Sequence, residues 1–353
     1  MSFCEAVTDK DSIVLVTGGP IAGEKNVGGV RVIVLPMAAN RLGLLSWSFA
    51  LRKFLKSFVR DNDVSVINFH IPPLIPGLFL PRVAKVVVTA HTTYLGMSGQ
   101  FYKVRQFRSP WNPVSVWTKR LFERVIFSKS DAIIVLTEQG RQEVLSYGFQ
   151  GPVKIVPNGA AIDVFTPGEA VTKDYDVLFA GRIERRKGSR PMVEVCKALI
   201  ASDPTVRICI VGSGDDFDYV TKSLAPFQKN IELAGKISFE DIVVKYRRSK
   251  IYASTSYYEG LPGTCLEAMA VGLPAVVWNY PFYQGLVIDN VTGFTIAPNE
   301  VGIFTNTILS ILANPAALHE MGVVAREKIY EGYSWKIVSD RIVKALGDVA
   351  SAK

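Results

Sequence analysis

Two charged clusters in the second half of the chain carry residue types suited to holding a phosphorylated ligand. The first is Gly181-Arg182-Ile-Glu-Arg-Arg-Lys187-Gly188, which follows an apolar run at residues 177–180. Gly181 allows a tight turn after that run. Arg182 and Lys187 then stand at the carboxyl end of a strand, the edge where parallel α/β sheets bind ligands. A guanidinium fork beside a compact ammonium makes a good clamp for a diphosphate. A solvated basic turn is the alternative on the residues alone.

The second cluster is Tyr258-Glu259-Gly-Leu-Pro-Gly263-Thr264-Cys265-Leu266-Glu267, continuing to Gly272 and Pro274. Pro262 and Gly263 suit a helix start, and Leu266, Met269 and Ala270 suit its buried face. Unpaired amides of Gly263 to Leu266 would point at an anion or at hydroxyls. Glu259 precedes the helix and Glu267 sits about one turn in, so two carboxylates flank one amide-rich helix start. The alternative is one Glu favouring the helix dipole and another in solvent.

Other signatures fail. Gly19-Pro-Ile-Ala-Gly23-Glu-Lys25 lacks the Gly-Lys-Ser/Thr order of a phosphate loop, and Gly212-Ser-Gly214 lacks the third glycine of a dinucleotide fingerprint. The pairs Asp61/Asp63, Asp174/Asp176 and Asp216/Asp218 read as turn aspartates rather than metal ligands. Taken alone, His70, His91 and His319 each read as packed histidines. The four cysteines are scattered, with no C-x-x-C pair, which argues against a disulfide framework or zinc site and fits a reducing compartment.

The elements that must position these residues alternate. Short β-branched runs at 13–17, 30–35, 64–69, 86–90, 132–136 and 153–156 form one series. Runs at 177–180, 207–211, 231–233, 251–254 and 275–278 form another. Amphipathic stretches such as 44–60, 116–128, 138–147, 190–201 and 239–248 separate them. The alternation predicts α/β domains with doubly wound parallel sheets covered on both faces. The turn-rich stretch 157–174 predicts a boundary, giving a first domain at 1–165 and a second at 166–333. A last helix at 334–350 is expected to pack back on the first domain.

Length and composition agree with this division. The 353 residues are 48% hydrophobic and 20% charged, which excludes global disorder and suits two cored domains. The net charge of +8 lies wholly in residues 1–165, which hold 19 basic and 11 acidic side chains against 21 of each in the remainder. An anionic partner for the first half follows. No signal peptide is read in the polar residues 1–11, and the apolar stretch 64–80 is too short and proline-broken to span a membrane.

The ordered motifs resemble the retaining glycosyltransferases of family 4, also described as glycosyl transferases group 1. They are Gly181-Arg182 with Lys187-Gly188, Glu259 and Glu267 separated by seven residues, and Ile155-Val-Pro-Asn158-Gly159 with Phe165-Thr-Pro167. Thr89-Ala-His91 and Ile134-Val-Leu-Thr137-Glu138 complete the set, and together they cover about residues 12–346. The resemblance implies the GT-B architecture, two Rossmann-like domains facing a cleft, with no metal or other cofactor. It implies a hexosyltransferase moving sugar from a UDP- or GDP-sugar with retention. Arg182 and Lys187 would grip the donor diphosphate and stabilise it as it leaves. Glu267 would hold the ribose and Glu259 the transferred sugar. Gly181 and the amides of Gly263, Thr264 and Leu266 would line the site, with Gly212 and Ile237 near ribose and base. His91 would face the sugar from the first domain and assist transfer. A glycoside hydrolase would also use paired carboxylates, but has no diphosphate to neutralise. A nucleotide-sugar epimerase would not need the Glu259–Glu267 spacing.

Two departures stand out. Residues 12–36 look like the family's second and third strands joined by a non-helical link at 18–29, so its first strand, glycine loop and helix are not matched. Gly285 stands where the family often has Glu. A catalytically reduced donor-binding partner of another glycosyltransferase is therefore the rival reading. Residues 44–60 place Leu44, Trp47, Leu51, Phe54, Leu55 and Phe58 on one face, near Arg52, Lys53, Lys56 and Arg60. Residues 101–124 interleave Phe101, Tyr102, Phe107, Trp111, Trp117 and Phe122 with Lys103, Arg105, Arg108, Lys119, Arg120 and Arg124. Such surfaces suit an anionic bilayer or a core-facing stripe with a solvated basic face. With the +8 charge, they predict a peripheral protein on the cytoplasmic membrane face acting on a lipid-linked or cell-surface glycan acceptor. No nucleic-acid module is present, so nucleic acid is not expected as a partner.

Overall fold

The computed structural model describes residues 3–7, 13–40, 42–99, 113–168 and 172–352. They divide into two compact units, one of residues up to 99, 113–159 and 335–352, the other of residues 160–334. The crossing at Gly159–Ala160 comes earlier than the expected 165 because Phe165 belongs to the second unit's core. It packs edge-on against Phe239 and Tyr246, and Arg247 donates to the carbonyls of Val164 and Thr166. Phe101, Tyr102, Lys103, Arg105, Phe107, Arg108 and Trp111 lie outside the described residues.

The first unit opens with helix α1 (Phe3–Ala6), strands β1 (Val14–Gly19), β2 (Gly23–Val27) and β3 (Val30–Pro36), helix α2 (Gly43–Asp61) and strand β4 (Val66–Ile71). It continues through α3 (Ile75–Leu78), β5 (Lys85–Ala90), α4 (Tyr94–Met97), α5 (Pro113–Ser128), β6 (Ala132–Val135), α6 (Glu138–Ser146) and β7 (Val153–Ile155). The strands make two sheets, β1-β3-β2 and the all-parallel β4-β5-β6-β7. Strand β2 corrects the reading of 18–29 as a plain link. Gly28 and Gly29, at φ +59° and +91°, close a two-residue hairpin that pairs Val27 with Val30. Two successive positive φ values are the condition for a type I′ turn, so the Gly-Gly pair was the available signal.

Helix α2 returns beside β1 and β4. Trp47, Leu51 and Leu55 are buried against Val16, Leu35 and Ile67, so the aromatic stripe faces the core rather than a bilayer. Between β1 and β4 lies a cavity of about 620 Å³, lined by residues of both strands, by Trp47 and Leu51 of α2, and by Trp335.

The second unit contains β8 (Tyr175–Ala180), α7 (Ser189–Ser202), β9 (Ile208–Val211), α8 (Phe217–Leu224), β10 (Ile231–Gly235) and α9 (Phe239–Arg247). It then runs through β11 (Ser249–Ser254), α10 (Gly263–Ala270), β12 (Ala275–Trp278), β13 (Gly293–Ile296), α11 (Val301–Leu312) and α12 (Pro315–Tyr333). Its sheet is parallel throughout, in the order β10-β9-β8-β11-β12-β13. Chain order reverses between β8 and β11, and that switch point opens a crevice at the strands' carboxyl ends. Separate apolar clusters cover the sheet's two faces, as the non-alternating strand sequences require. Helix α13 (Trp335–Ser351) then returns to the first unit, where Val338, Ala345 and Val349 pack with Val87, Ala132 and Ile134 of β5 and β6.

Candidate functional site

Each predicted donor-side residue lies at or near the carboxyl edge of the second unit's sheet. Gly181 ends β8 at φ +141°, and its amide donates to Val211 O (3.0 Å). Gly212 ends β9 at φ +138°, where a Cβ would stand 1.8 Å from Gly181 O. The two turns touch backbone to backbone, and only glycine permits that approach. Gly188 is a second such contact, at φ +71° with a notional Cβ 1.8 Å from Thr255 O. Thr255 Oγ1 donates to Gly188 O, tying the basic turn to the end of β11.

That tie brings the two charged clusters together. Lys187 Nζ contacts both carboxylate oxygens of Glu259, 2.6 Å from Oε2, and Ser256 Oγ donates to Oε1 (2.9 Å). Glu259 is 7% exposed, so its charge is stabilised by this pairing rather than by water. Lys187 carries three N–H donors, and both of its side-chain contacts among the described residues go to Glu259. Arg182 is mostly exposed, 3.4 Å from Glu184 Oε1, while Arg186 turns inward to Glu184 and to Tyr258 O. Arg182, Lys187, Gly181, Glu259 and Thr264 line one shallow pocket.

Glu267 lies further along α10, where Tyr246 OH donates to Oε2 (2.8 Å). Burial pushes its carboxyl up, and the Tyr246 bond works against that shift. Ile237 follows β10 and packs against the same core as Tyr246. The amide-rich helix start is narrower than the sequence suggested. Leu266 N and Cys265 N both donate to Pro262 O (3.1 and 3.0 Å), and the Leu266 side chain is in the core. Gly263 and Thr264 are left to present amides, while Thr264 Oγ1 bonds Tyr252 OH. Ser256 and Tyr246, which set the two carboxylates, were not singled out beforehand, because nothing in spacing links them to 259 and 267. Gly285, at φ +76°, has open space around its notional Cβ.

In the first unit His91 follows β5 and His70 lies in β4. His70 Nδ1 and His91 Nε2 are 2.9 Å apart, so one of the two nitrogens carries the shared proton. Asn68 Nδ2 approaches His70 Nε2 at 3.3 Å, and Asn68 Oδ1 accepts from Thr89 Oγ1. Water reaches His70 through the cavity, yet surrounding protein disfavours its charge. Burial, with His91 adding repulsion, takes its pKa down to about 4, and burial lowers His91 as well. The turn after His91 is held by two fully buried carboxylates: Glu143 accepts from Thr93 Oγ1, and Glu123 accepts from the Tyr94 amide. Burial pushes Glu123 up to about 8. Among the described residues, no three His, Cys, Asp or Glu side chains converge as a metal site.

A parallel sheet with glycine turns, an Arg–Lys–Glu cluster and a helix start at its switch point defines an α/β protein with a ligand crevice at its strands' carboxyl ends. The description "Glycosyl transferases group 1" matches residues 164–328, and "Glycosyltransferase Family 4" matches residues 7–164. The chain belongs to this glycosyltransferase family. It is 22% identical to the phosphatidyl-myo-inositol mannosyltransferase of Mycobacterium leprae over 92% of its length and 84% of the relative's. It is 23% identical to an Escherichia coli UDP-Gal:alpha-D-GlcNAc-diphosphoundecaprenol alpha-1,3-galactosyltransferase, over 86% and 80%. It is 28% identical to the D-inositol 3-phosphate glycosyltransferase of Gordonia bronchialis over 63% of this chain; that match spans only about half (53%) of the relative. A sucrose-phosphate synthase structure from Thermosynechococcus elongatus shares the GT-B fold, with TM-score 0.77 and 20% identity over 97% of this chain and 90% of that one.

Two outcomes follow from the geometry. Lys187→Met strands the buried Glu259 charge and is expected to cost about 3 kcal/mol in denaturant unfolding. Adding Glu259→Leu should recover most of that loss, and an additive double variant would show that the pair is not coupled. The depressed His70 pKa sets the sign of a pH effect. Above about pH 6.5 both states hold neutral His70; below it the unfolded chain takes up a proton that the folded chain resists. Calorimetric Tm should therefore fall from pH 6.5 towards 4, less steeply in His70→Gln.

Proposed function

We propose that the chain is a metal-independent, retaining hexosyltransferase using a UDP- or GDP-sugar. The observation that carries this is the Lys187–Glu259 pair beside exposed Arg182 at the sheet's switch point. Arg182 and Lys187 supply positive charge to a diphosphate, so no metal is needed to neutralise it. Glu259, held by Lys187 and Ser256, accepts from sugar hydroxyls, and Glu267 accepts from the ribose. Gly263 and Thr264 amides face the sugar and phosphate, and His91 assists transfer. As the anomeric carbon–oxygen bond breaks, the electron pair leaves with the diphosphate, where the two cations are worth most. A structure of Anabaena HepE with UDP-glucose, 16% identical with TM-score 0.73 over 91% of this chain and 87% of that one, supports a nucleotide-sugar donor.

The acceptor is proposed to be lipid-linked or a cell-surface glycan precursor at the cytoplasmic membrane face. The names of the mannosyltransferase and galactosyltransferase relatives support this class. No single helix among the described residues is long and apolar enough to cross a membrane. Helix α5 instead exposes Val114, Trp117 and Leu121, with exposed Arg124 one turn on. An apolar ridge with basic flanks suits peripheral attachment to anionic lipid.

Calorimetry and nucleotide release across UDP- and GDP-sugars test the donor reading. One donor is expected to bind and be hydrolysed slowly; Arg182→Ala should weaken it at least tenfold, and Glu259→Ala should abolish release. Binding without turnover, even with membrane extract as acceptor source, would favour the donor-binding partner. No binding at all would overturn the site. Trp117→Ser should lower co-sedimentation with phosphatidylglycerol vesicles several-fold while leaving donor binding unchanged, and unchanged sedimentation would remove α5 as the attachment face.

A further inference from the structure

Strand alternation gathers four polar side chains on one face of the first unit's parallel sheet. Asn68 and His70 stand two apart in β4, and Thr89 in β5 stands two before His91. The register sets His70 beside Thr89, and the His91 amide extends it by donating to Ile71 O (3.1 Å). Side chains two apart share a face, so all four lie together near the strands' carboxyl ends. The intervening Phe69, Ile71, Val88 and Ala90 point the other way, into an apolar cluster.

Three contacts join the four in a line. Thr89 Oγ1 donates to Asn68 Oδ1 (2.8 Å), Asn68 Nδ2 stands 3.3 Å from His70 Nε2, and His70 Nδ1 stands 2.9 Å from His91 Nε2. The direction of each contact follows from donor and acceptor types. Thr89 is 5% exposed, and Asn68 Oδ1 is the acceptor in reach of its hydroxyl proton among the described residues. Turning the Asn68 amide over would set an N–H against that hydroxyl and leave a buried O–H proton without an acceptor. With Oδ1 held by Thr89, Nδ2 is the atom that faces His70. An amide nitrogen only donates, so His70 Nε2 is the bare, accepting nitrogen. Burial lowers both histidines from the ordinary 6.5, so both rings are neutral at neutral pH and each carries one N–H. His70 therefore holds its proton on Nδ1 and donates it to His91 Nε2. His91 in turn holds its own proton on Nδ1. Free histidine in water favours the Nε2–H form, so both rings are held in the tautomer they would not choose alone.

We propose that Asn68 and His70 are positioning residues that fix His91 as its Nδ1–H tautomer, so that His91 meets the substrate as a hydrogen-bond donor and not as a base. The part about substrate rests on the role proposed above for His91; the tautomer does not. The Nε2 lone pair of His91 is already taken by His70, and its protonated Nδ1 has none to offer. A donor stabilises an oxygen that gains negative charge, whereas a base removes a proton from the attacking group. The hydrogen-bonded line from Thr89 selects the first role.

The test is nitrogen-15 correlation spectroscopy of the whole chain labelled in histidine, at a pH well above both pKa values. His70→Gln and His319→Gln assign the three rings. His70 and His91 are both expected to show a pyrrole-type Nδ1 and a pyridine-type Nε2, with at least about a tenfold preference, the size that one unmade buried hydrogen bond imposes. Asn68→Asp is nearly isosteric and puts an acceptor where the donor was. His70 must then carry Nε2–H, its bare Nδ1 accepts from His91, and both rings are expected to switch to Nε2–H. Thr89→Val frees the Asn68 amide to turn and should lower the preference several-fold, which provides a second variant should Asn68→Asp not fold. A wild-type His91 protonated at Nε2 overturns the proposal, and so do tautomers that neither substitution moves. Lost packing alone would not exchange the nitrogen types. With a sugar donor, Asn68→Asp is expected to lower kcat at least about tenfold at unchanged KM. Unchanged kcat beside switched tautomers overturns the donor role of His91. The spectra need no sugar transfer, so a chain inactive with every donor would fail the activity reading alone.

Discussion

Glu259 is a carboxylate taken out of water, and its charge must be answered from within the protein. Lys187 and Ser256 do so, and several local features exist to bring them there. Gly188 adopts a left-handed backbone so that the basic turn can pass over Thr255, and Thr255 closes the contact with its hydroxyl. Gly181 and Gly212 abut at the neighbouring strand ends. Each glycine removes a side chain that would separate the turns, and the result is a cation and a carboxylate fixed at the one edge of the sheet open to a ligand. A charge pair of this kind adds little net stability, since desolvation offsets attraction, but it places a charge with small freedom to move.

The first unit uses a different device. Its two histidines are neutralised by their surroundings and share a proton along a 2.9 Å contact. Buried Glu123 and Glu143 hold the turn that follows His91, accepting from the Tyr94 amide and the Thr93 hydroxyl. Burial pushes Glu123 up to about 8, against the hydrogen bonds it accepts from Tyr147 Oη and the Tyr94 amide. The histidine pair borders the same cavity that separates the two sheets.

Much was legible from residue order. The alternation of apolar runs and amphipathic stretches reports parallel sheets covered on both faces, and the second unit's six strands conform. The basic turn after 180 and the proline-glycine helix start at 262–263 were visible because glycine and proline have strong local preferences. Strand β2 was not, because Gly23–Val27 is exposed along its length and has no hydrophobic signal; its pairing depends on the Gly28-Gly29 turn. The face of α2 was ambiguous for another reason. Aromatic and aliphatic residues at helical spacing look the same whether they meet a sheet or a bilayer, and only packing on Val16, Leu35 and Ile67 decides it.

Sequence by itself determined the α/β class, the family and the chemical types at the donor edge, since these rest on local periodicity, turn preference and ordered motifs. Tertiary structure alone decided which charges meet. The Lys187–Glu259 and Tyr246–Glu267 partners come from different elements and converge only when the sheet forms. It also decided that α10 presents fewer amides than its composition suggests, because Pro262 O takes those of Cys265 and Leu266. Finally, it decided that β1 and β4 face each other across a cavity. Strand adjacency is a long-range relation, and no spacing along the chain encodes which edges are left without a neighbour.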